Sequence, residues 1–84
     1  MSISARIKSL ELRDKIYVHL DSGDTLAIPY TYTERLANAD KALLQEYRLI
    51  GDGIGVHFPK VDEDISLQGI ISYKGSVRNF VSIR

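Results

Sequence analysis

The strongest regularity in the chain is an alternation of apolar and polar residues with a period of two. Ile16, Val18 and Leu20 alternate with Tyr17 and His19, the pattern of a strand that buries one face. Leu10 and Leu12 fit an earlier strand. Ile3, Ala5 and Ile7 run in the opposite phase, so a bulge or bend is predicted near Lys8 and Ser9. Arg13, Asp14 and Lys15 form a polar connection between the two strands. Asp21-Ser22-Gly23-Asp24 is a turn sequence, and Leu26 and Ile28 then alternate with Thr25 and Ala27, which completes a β-meander. Pro29 cannot donate to a ladder and ends this strand or places it at an edge.

Helical signals follow the proline. Thr33 caps a short turn through Leu36, and Asp40 opens a helix predicted to reach about Tyr47. Leu36, Leu43, Leu44 and Tyr47 then share one face, which is expected to cover the sheet. Leu49 and Ile50 lead into Gly51-Asp52-Gly53, after which Ile54, Val56 and Phe58 alternate with Gly55 and His57; this reads as a second hairpin closed by Pro59. Ser66 is an N-cap candidate with Ile65 and Ile70 at the positions of a hydrophobic staple, and Leu67, Ile70 and Ile71 supply an apolar face. Gly69 weakens that short helix by about 1 kcal/mol relative to alanine, so packing must hold it. From Ser72 to Arg84 the chain carries Lys74, Arg78 and Arg84 and no acid, with Val77, Val81 and Ile83 partly alternating, and is read as an edge strand or a mobile tail. The expected architecture is a single α+β domain over residues 1–84: a small antiparallel sheet, made of the β-meander plus the second hairpin, with two short helices packed on one face.

Composition narrows the function classes. Eighty-four residues make one domain, and 44% hydrophobic with 26% charged residues is a folding composition. Eleven basic and eleven acidic side chains cancel, which removes the broad positive field that binding to a phosphate backbone requires. The lack of cysteine excludes disulfides, thiolate metal sites and a thiol nucleophile together, and favours a reducing, cytoplasmic setting. Met1 to Leu12 mixes charges with apolar residues, so no signal peptide and no membrane span are expected.

The order of residues adds to their periodicity. Leu26-Ala27-Ile28-Pro29-Tyr30, Arg35-Leu36, Ala39, Tyr47-Arg48-Leu49-Ile50-Gly51, Gly55-Val56-His57-Phe58-Pro59 and the stretch from Val61-Asp62-Glu63-Asp64-Ile65-Ser66 to Ile71 follow one another at fixed spacings. Over about Leu10 to Ile71 the chain resembles the bacterial family called domain of unknown function 2442. The resemblance implies a small α+β fold with an antiparallel sheet and short helices, and no established activity. It also implies a two-gene setting, since some members lie beside a small partner protein in arrangements that look like toxin–antitoxin pairs. Two departures stand out. Members often carry tryptophan where this chain has Tyr47 and Phe58, and the tail beyond Ser72 has no counterpart.

The densest polar constellation is His57 with Asp62, Glu63 and Asp64, which are suitable metal-ligand types. No recognised ligand spacing is present, and acids ahead of a helix start are explained by the positive end of that helix, so no metal or cofactor is expected. Histidine is the residue type suited to general-base work, yet the place of His57 in the alternation turns it away from Val56 and Phe58, toward solvent or a hydrogen bond; His19 reads the same way. No serine sits in a nucleophile-elbow sequence, and Gly51-Asp52-Gly53-Ile54-Gly55 lacks the lysine of a phosphate-binding loop. Among five tyrosines, Tyr30 and Tyr32 flank the proline turn and are the best contact residues. The expectation is a non-catalytic protein-interaction or regulatory module, antitoxin-like, that meets another small protein through Tyr30, Tyr32, His57, Asp62, Glu63 and Asp64. The alternative is a DNA-binding regulator using the basic C-terminal tail, and a third reading is a metal-dependent or acid-base enzyme centred on His57. The oligomeric state stays open.

Overall fold

A computed structural model describes residues 5–73. Ile3 and the part of the tail reading with Lys74, Arg78 and Arg84 fall outside the described residues, and Ser72, where that reading begins, ends the last helix. The elements run in the order β1 (Ile7–Leu12), β2 (Ile16–Leu20), β3 (Thr25–Ile28), a 3-10 turn (Tyr30–Tyr32), α1 (Glu34–Asn38), α2 (Lys41–Leu44), β4 (Arg48–Ile50), β5 (Gly55–Phe58), β6 (Glu63–Ser66) and α3 (Leu67–Ser72). The fold is α+β, with antiparallel sheets and short helices.

The meander forms as its pattern dictates. β2 pairs with β1 and β3 on either side, and its Ile16, Val18 and Leu20 face the core. The register passes from Ile7↔Leu20 to Ser9↔His19, so Lys8 is the extra residue of a bulge; this is why Ile7 and Leu10 are out of phase. Gly23 supplies φ +98 in the turn before β3.

Three expectations need correction. The meander and the second hairpin form two three-stranded sheets, β1-β2-β3 and β4-β5-β6. The additional strand is β6: the acids expected to lead directly into a helix are partly strand, while the helix starts after Ser66 as its cap predicts. The helix opened by Asp40 ends at Leu44 and does not reach Tyr47, and Leu43 is exposed. Finally, Ile54 belongs to the hairpin turn, is half exposed, and leaves the strand to begin at Gly55. The caps hold where the sequence puts them: Thr33 Oγ1 accepts from the Leu36 N–H, Asp40 Oδ1 from that of Ala42 and Ser66 Oγ from that of Gly69.

The core lies between the two sheets and the helices, with Ile16, Val18, Ile28, Leu36, Leu44, Val56, Phe58 and Ile70 almost fully enclosed. Burying such a side chain contributes about 1.5–3 kcal/mol. The sheets are stitched together at β1. The Ile7 N–H donates to the Gly53 carbonyl at 2.8 Å, and the Leu10 N–H donates to the Tyr47 hydroxyl at 3.0 Å.

Candidate functional site

The outward face of the second sheet brings an arginine, a histidine and an aspartate into one row beside an edge strand. Its register places Arg48 beside His57 and His57 beside Asp64, one residue from each strand. The neighbouring row, Leu49, Val56 and Ile65, alternates to the core side. His57 sits on the middle strand, so its side chain is only 24% exposed against 65% for Asp64. Its Nδ1–H donates to Asp64 Oδ1 at 2.5 Å, and Nε2 has no hydrogen-bond partner among the described residues. The Arg48 side chain makes no hydrogen bond or ion pair among the described residues. Together with Leu49 and Ile50 these three side chains line an open cavity of about 360 Å³.

The backbone beside that cavity is equally open. β4 ends its sheet, with β5 on one side and no strand on the other among the described residues. Natural sheet edges are usually closed by bulges, prolines, charges or covering elements. The remaining edges here follow that rule: β1 has its bulge and the contacts to Gly53 and Tyr47, β3 stops at Pro29 and lies against α3, and β6 carries Glu63 and Asp64. β4 is short and carries one charge, Arg48, but adds two consecutive exposed apolar residues, Leu49 and Ile50, 38% and 37% exposed.

The six residues marked by the sequence for partner contact do not form one surface through any contact among them except one, the His57–Asp64 hydrogen bond. Tyr30 donates its hydroxyl to the Arg13 carbonyl at 2.9 Å and lies under the Lys41 ammonium, 4.8 Å from its ring centre. Burial, and secondarily the Asp14 charge, raises its phenol above the usual value. Tyr32 packs edge-on against Tyr73 at 5.0 Å, and burial raises its phenol too. Asp62 takes a left-handed conformation, φ 53, in the turn before β6, where Arg35 donates to its carbonyl and to that of Val61. Glu63 pairs with Phe58 and shares the phase of Ile65, so it points away from Asp64. The acids therefore diverge, and no group of three potential metal ligands occurs among the described residues.

Two features were not singled out by sequence. The Arg13-Asp14-Lys15 connection is an organised corner: Tyr17 donates its hydroxyl to Asp14 at 2.9 Å, which lowers the Asp14 carboxyl and raises the Tyr17 phenol, while the Arg13 guanidinium covers the Tyr17 ring. Arg48 lies within one of the stretches that carry the family resemblance, but nothing in its spacing marked it as a contact residue. The usable signal beside it was the pair Leu49-Ile50: two consecutive apolar residues on a strand cannot both face the core.

The comparisons with known proteins agree on fold and leave activity open. The family model described as "Protein of unknown function (DUF2442)" matches residues 7–76. A crystal structure of a protein of unknown function from Rhodospirillum rubrum is 26% identical, with TM-score 0.75 over 83% of this chain and 88% of that one. A solution structure of an uncharacterized protein from Chromobacterium violaceum is 25% identical, with TM-score 0.70 over 79% of this chain and 63% of that one. No curated protein matches the chain.

Proposed function

The chain belongs to the DUF2442 family of proteins of unknown function, and we propose that it acts as a non-catalytic protein-interaction module whose contact surface is the outer part of the second sheet. The observation that carries this reading is the β4 edge, where Leu49 and Ile50 are exposed beside Arg48 and no strand pairs on the outer side among the described residues. An exposed apolar edge is a liability unless something covers it. In this reading the partner is another small protein, the antitoxin-like pairing of two neighbouring genes is the setting, and the compartment is the cytoplasm.

The His57–Asp64 pair gives the enzyme reading its best foothold, since an aspartate orienting a histidine is half of an acid-base site. The arrangement around it supports binding better. The cavity is open, Asp64 is largely solvent-exposed, and the two other acids of the stretch face elsewhere. A hydrogen-bonded cross-strand pair holds the middle of the sheet in register, as such pairs do.

The test is co-purification from the native host of the wild-type chain and of Ile50→Asp, whose substitution site is already solvent-exposed. A stoichiometric small protein recovered with the wild type and lost with the variant is the expected result. Recovery of both chains alone would sink the reading.

A further inference from the structure

Resting on the interaction reading above, we infer that β4 takes up an extended segment of the partner as an added antiparallel strand, and that this segment sets an acidic side chain against Arg48. Strand addition to an open edge draws affinity from main-chain hydrogen bonds and specificity from alternate side chains. Among the described residues β4 has an unpaired edge, and its sheet is antiparallel throughout. Antiparallel pairing also allows the more linear hydrogen bonds.

Charge fixes the occupant. In the row Arg48–His57–Asp64 the histidine and the aspartate satisfy each other, and the guanidinium at the edge is unanswered among the described residues. A guanidinium next to apolar surface is suited to bind a carboxylate through two parallel hydrogen bonds. Running antiparallel, the incoming strand meets Ile50 first, Leu49 next and Arg48 last, so its sequence reads apolar, any residue, acidic. The apolar residue covers Ile50 on the same outward face.

A second copy of this chain fits less well. Two β4 strands paired about Leu49 would set Arg48 against Ile50, and paired about Arg48 they would oppose two like charges. A nucleic-acid phosphate is also a poorer match: Arg48 is one cation, and Asp64 lies in the same row about 10 Å away across two strand spacings.

The experiment titrates the isotope-labelled chain with three end-blocked octapeptides that carry Ile-Thr-Glu, Ile-Thr-Gln or Lys-Thr-Glu at the centre, and reads backbone amide shifts. The expected result is saturable change at Arg48, Leu49 and Ile50 with the first peptide, about tenfold weaker for the second and weaker again for the third. Arg48→Gln should remove the tenfold preference for Glu over Gln and leave binding of the Gln peptide unchanged. Arg48 is exposed and its side chain makes no hydrogen bond or ion pair among the described residues, so this variant keeps its fold. No change at β4 with millimolar peptide overturns the proposal. So does equal perturbation by inorganic phosphate or a short single-stranded oligonucleotide, or concentration-dependent self-association that Ile50→Asp abolishes. A host partner that co-purifies equally with wild type, Arg48→Gln and Ile50→Asp would overturn the β4 site and leave the interaction module standing, whereas no partner at all would remove both.

Discussion

At the scale of single residues, Tyr47 shows how a correct apolar assignment can conceal a polar task. Its spacing from Leu36 and Leu44 marks it as core-facing, and the ring does pack, tilted, against the buried Phe58 with centroids 6.4 Å apart. Its hydroxyl, however, accepts the Leu10 N–H on the free side of β1. No periodicity encodes that contact, because Leu10 lies 37 positions away. A tryptophan at this position, a donor only, would leave the Leu10 amide unanswered. Tyr47→Phe keeps the ring and deletes the acceptor, so it should cost about 1 kcal/mol. The check is a lower urea midpoint with unchanged slope, accompanied by faster hydrogen exchange at Leu10. An unaltered midpoint would mean that water replaces the hydroxyl without loss. Arg48 illustrates the opposite case: a side chain without a hydrogen bond or ion pair among the described residues leaves no periodicity to read, and the placement of its strand at an edge makes it a candidate.

At the scale of elements, the legible ones are those whose periodicity and end signals coincide. β2 alternates cleanly over five residues, and Thr33, Asp40 and Ser66 each cap the helix they precede. β6 was hidden because only Ile65 of its four residues is buried, leaving no alternation to read, while Asp62 ahead of it adopts a conformation that sequence scarcely signals. The truncated α2 reflects a tertiary preference overriding a helical pattern, since Tyr47 is held by Leu10 and Phe58 and the chain must enter β4 at Arg48. The 3-10 turn and α3 depend on each other through Tyr32 and Tyr73. Burial raises the Tyr32 phenol above its ordinary value of 10.0, with Tyr73 adding to the effect. A folded-state value above the unfolded one means a contribution that is complete below pH 10 and is lost as pH climbs through the folded value. Stability should therefore fall on the alkaline side, and Tyr32→Phe should flatten the fall, as read from urea midpoints measured at rising pH. Equal slopes for wild type and variant would assign the alkaline loss to other groups.

At the scale of the whole molecule, the question is whether the two sheets fold as one unit. A three-stranded sheet needs an apolar face covered before it is independently stable, and here the core residues of both sheets and the helices form a single cluster. The backbone join runs through Gly53. It has φ +100, and a Cβ added there would collide with the backbone oxygen and nitrogen of Ile7, the residue whose N–H it receives. Gly23 provides an internal control, because it has nearly the same φ, +98, but open space around the added carbon. Gly23→Ala should cost only the conformational term, about 1 kcal/mol. Gly53→Ala adds a backbone clash that the flexible end of a side chain cannot relieve, and should cost about 3 kcal/mol. If the sheets are one cooperative unit, the loss appears equally in the slowest-exchanging amides of β2 and β5, and one urea transition persists. If β5 loosens while Val18 on β2 keeps its protection, the sheets unfold separately, and the Gly53–Ile7 contact is a local tether instead of the seam of a single fold. The outcome bears on binding as well, since β4 can accept a partner strand in fixed register only if the sheet behind it is held by that seam.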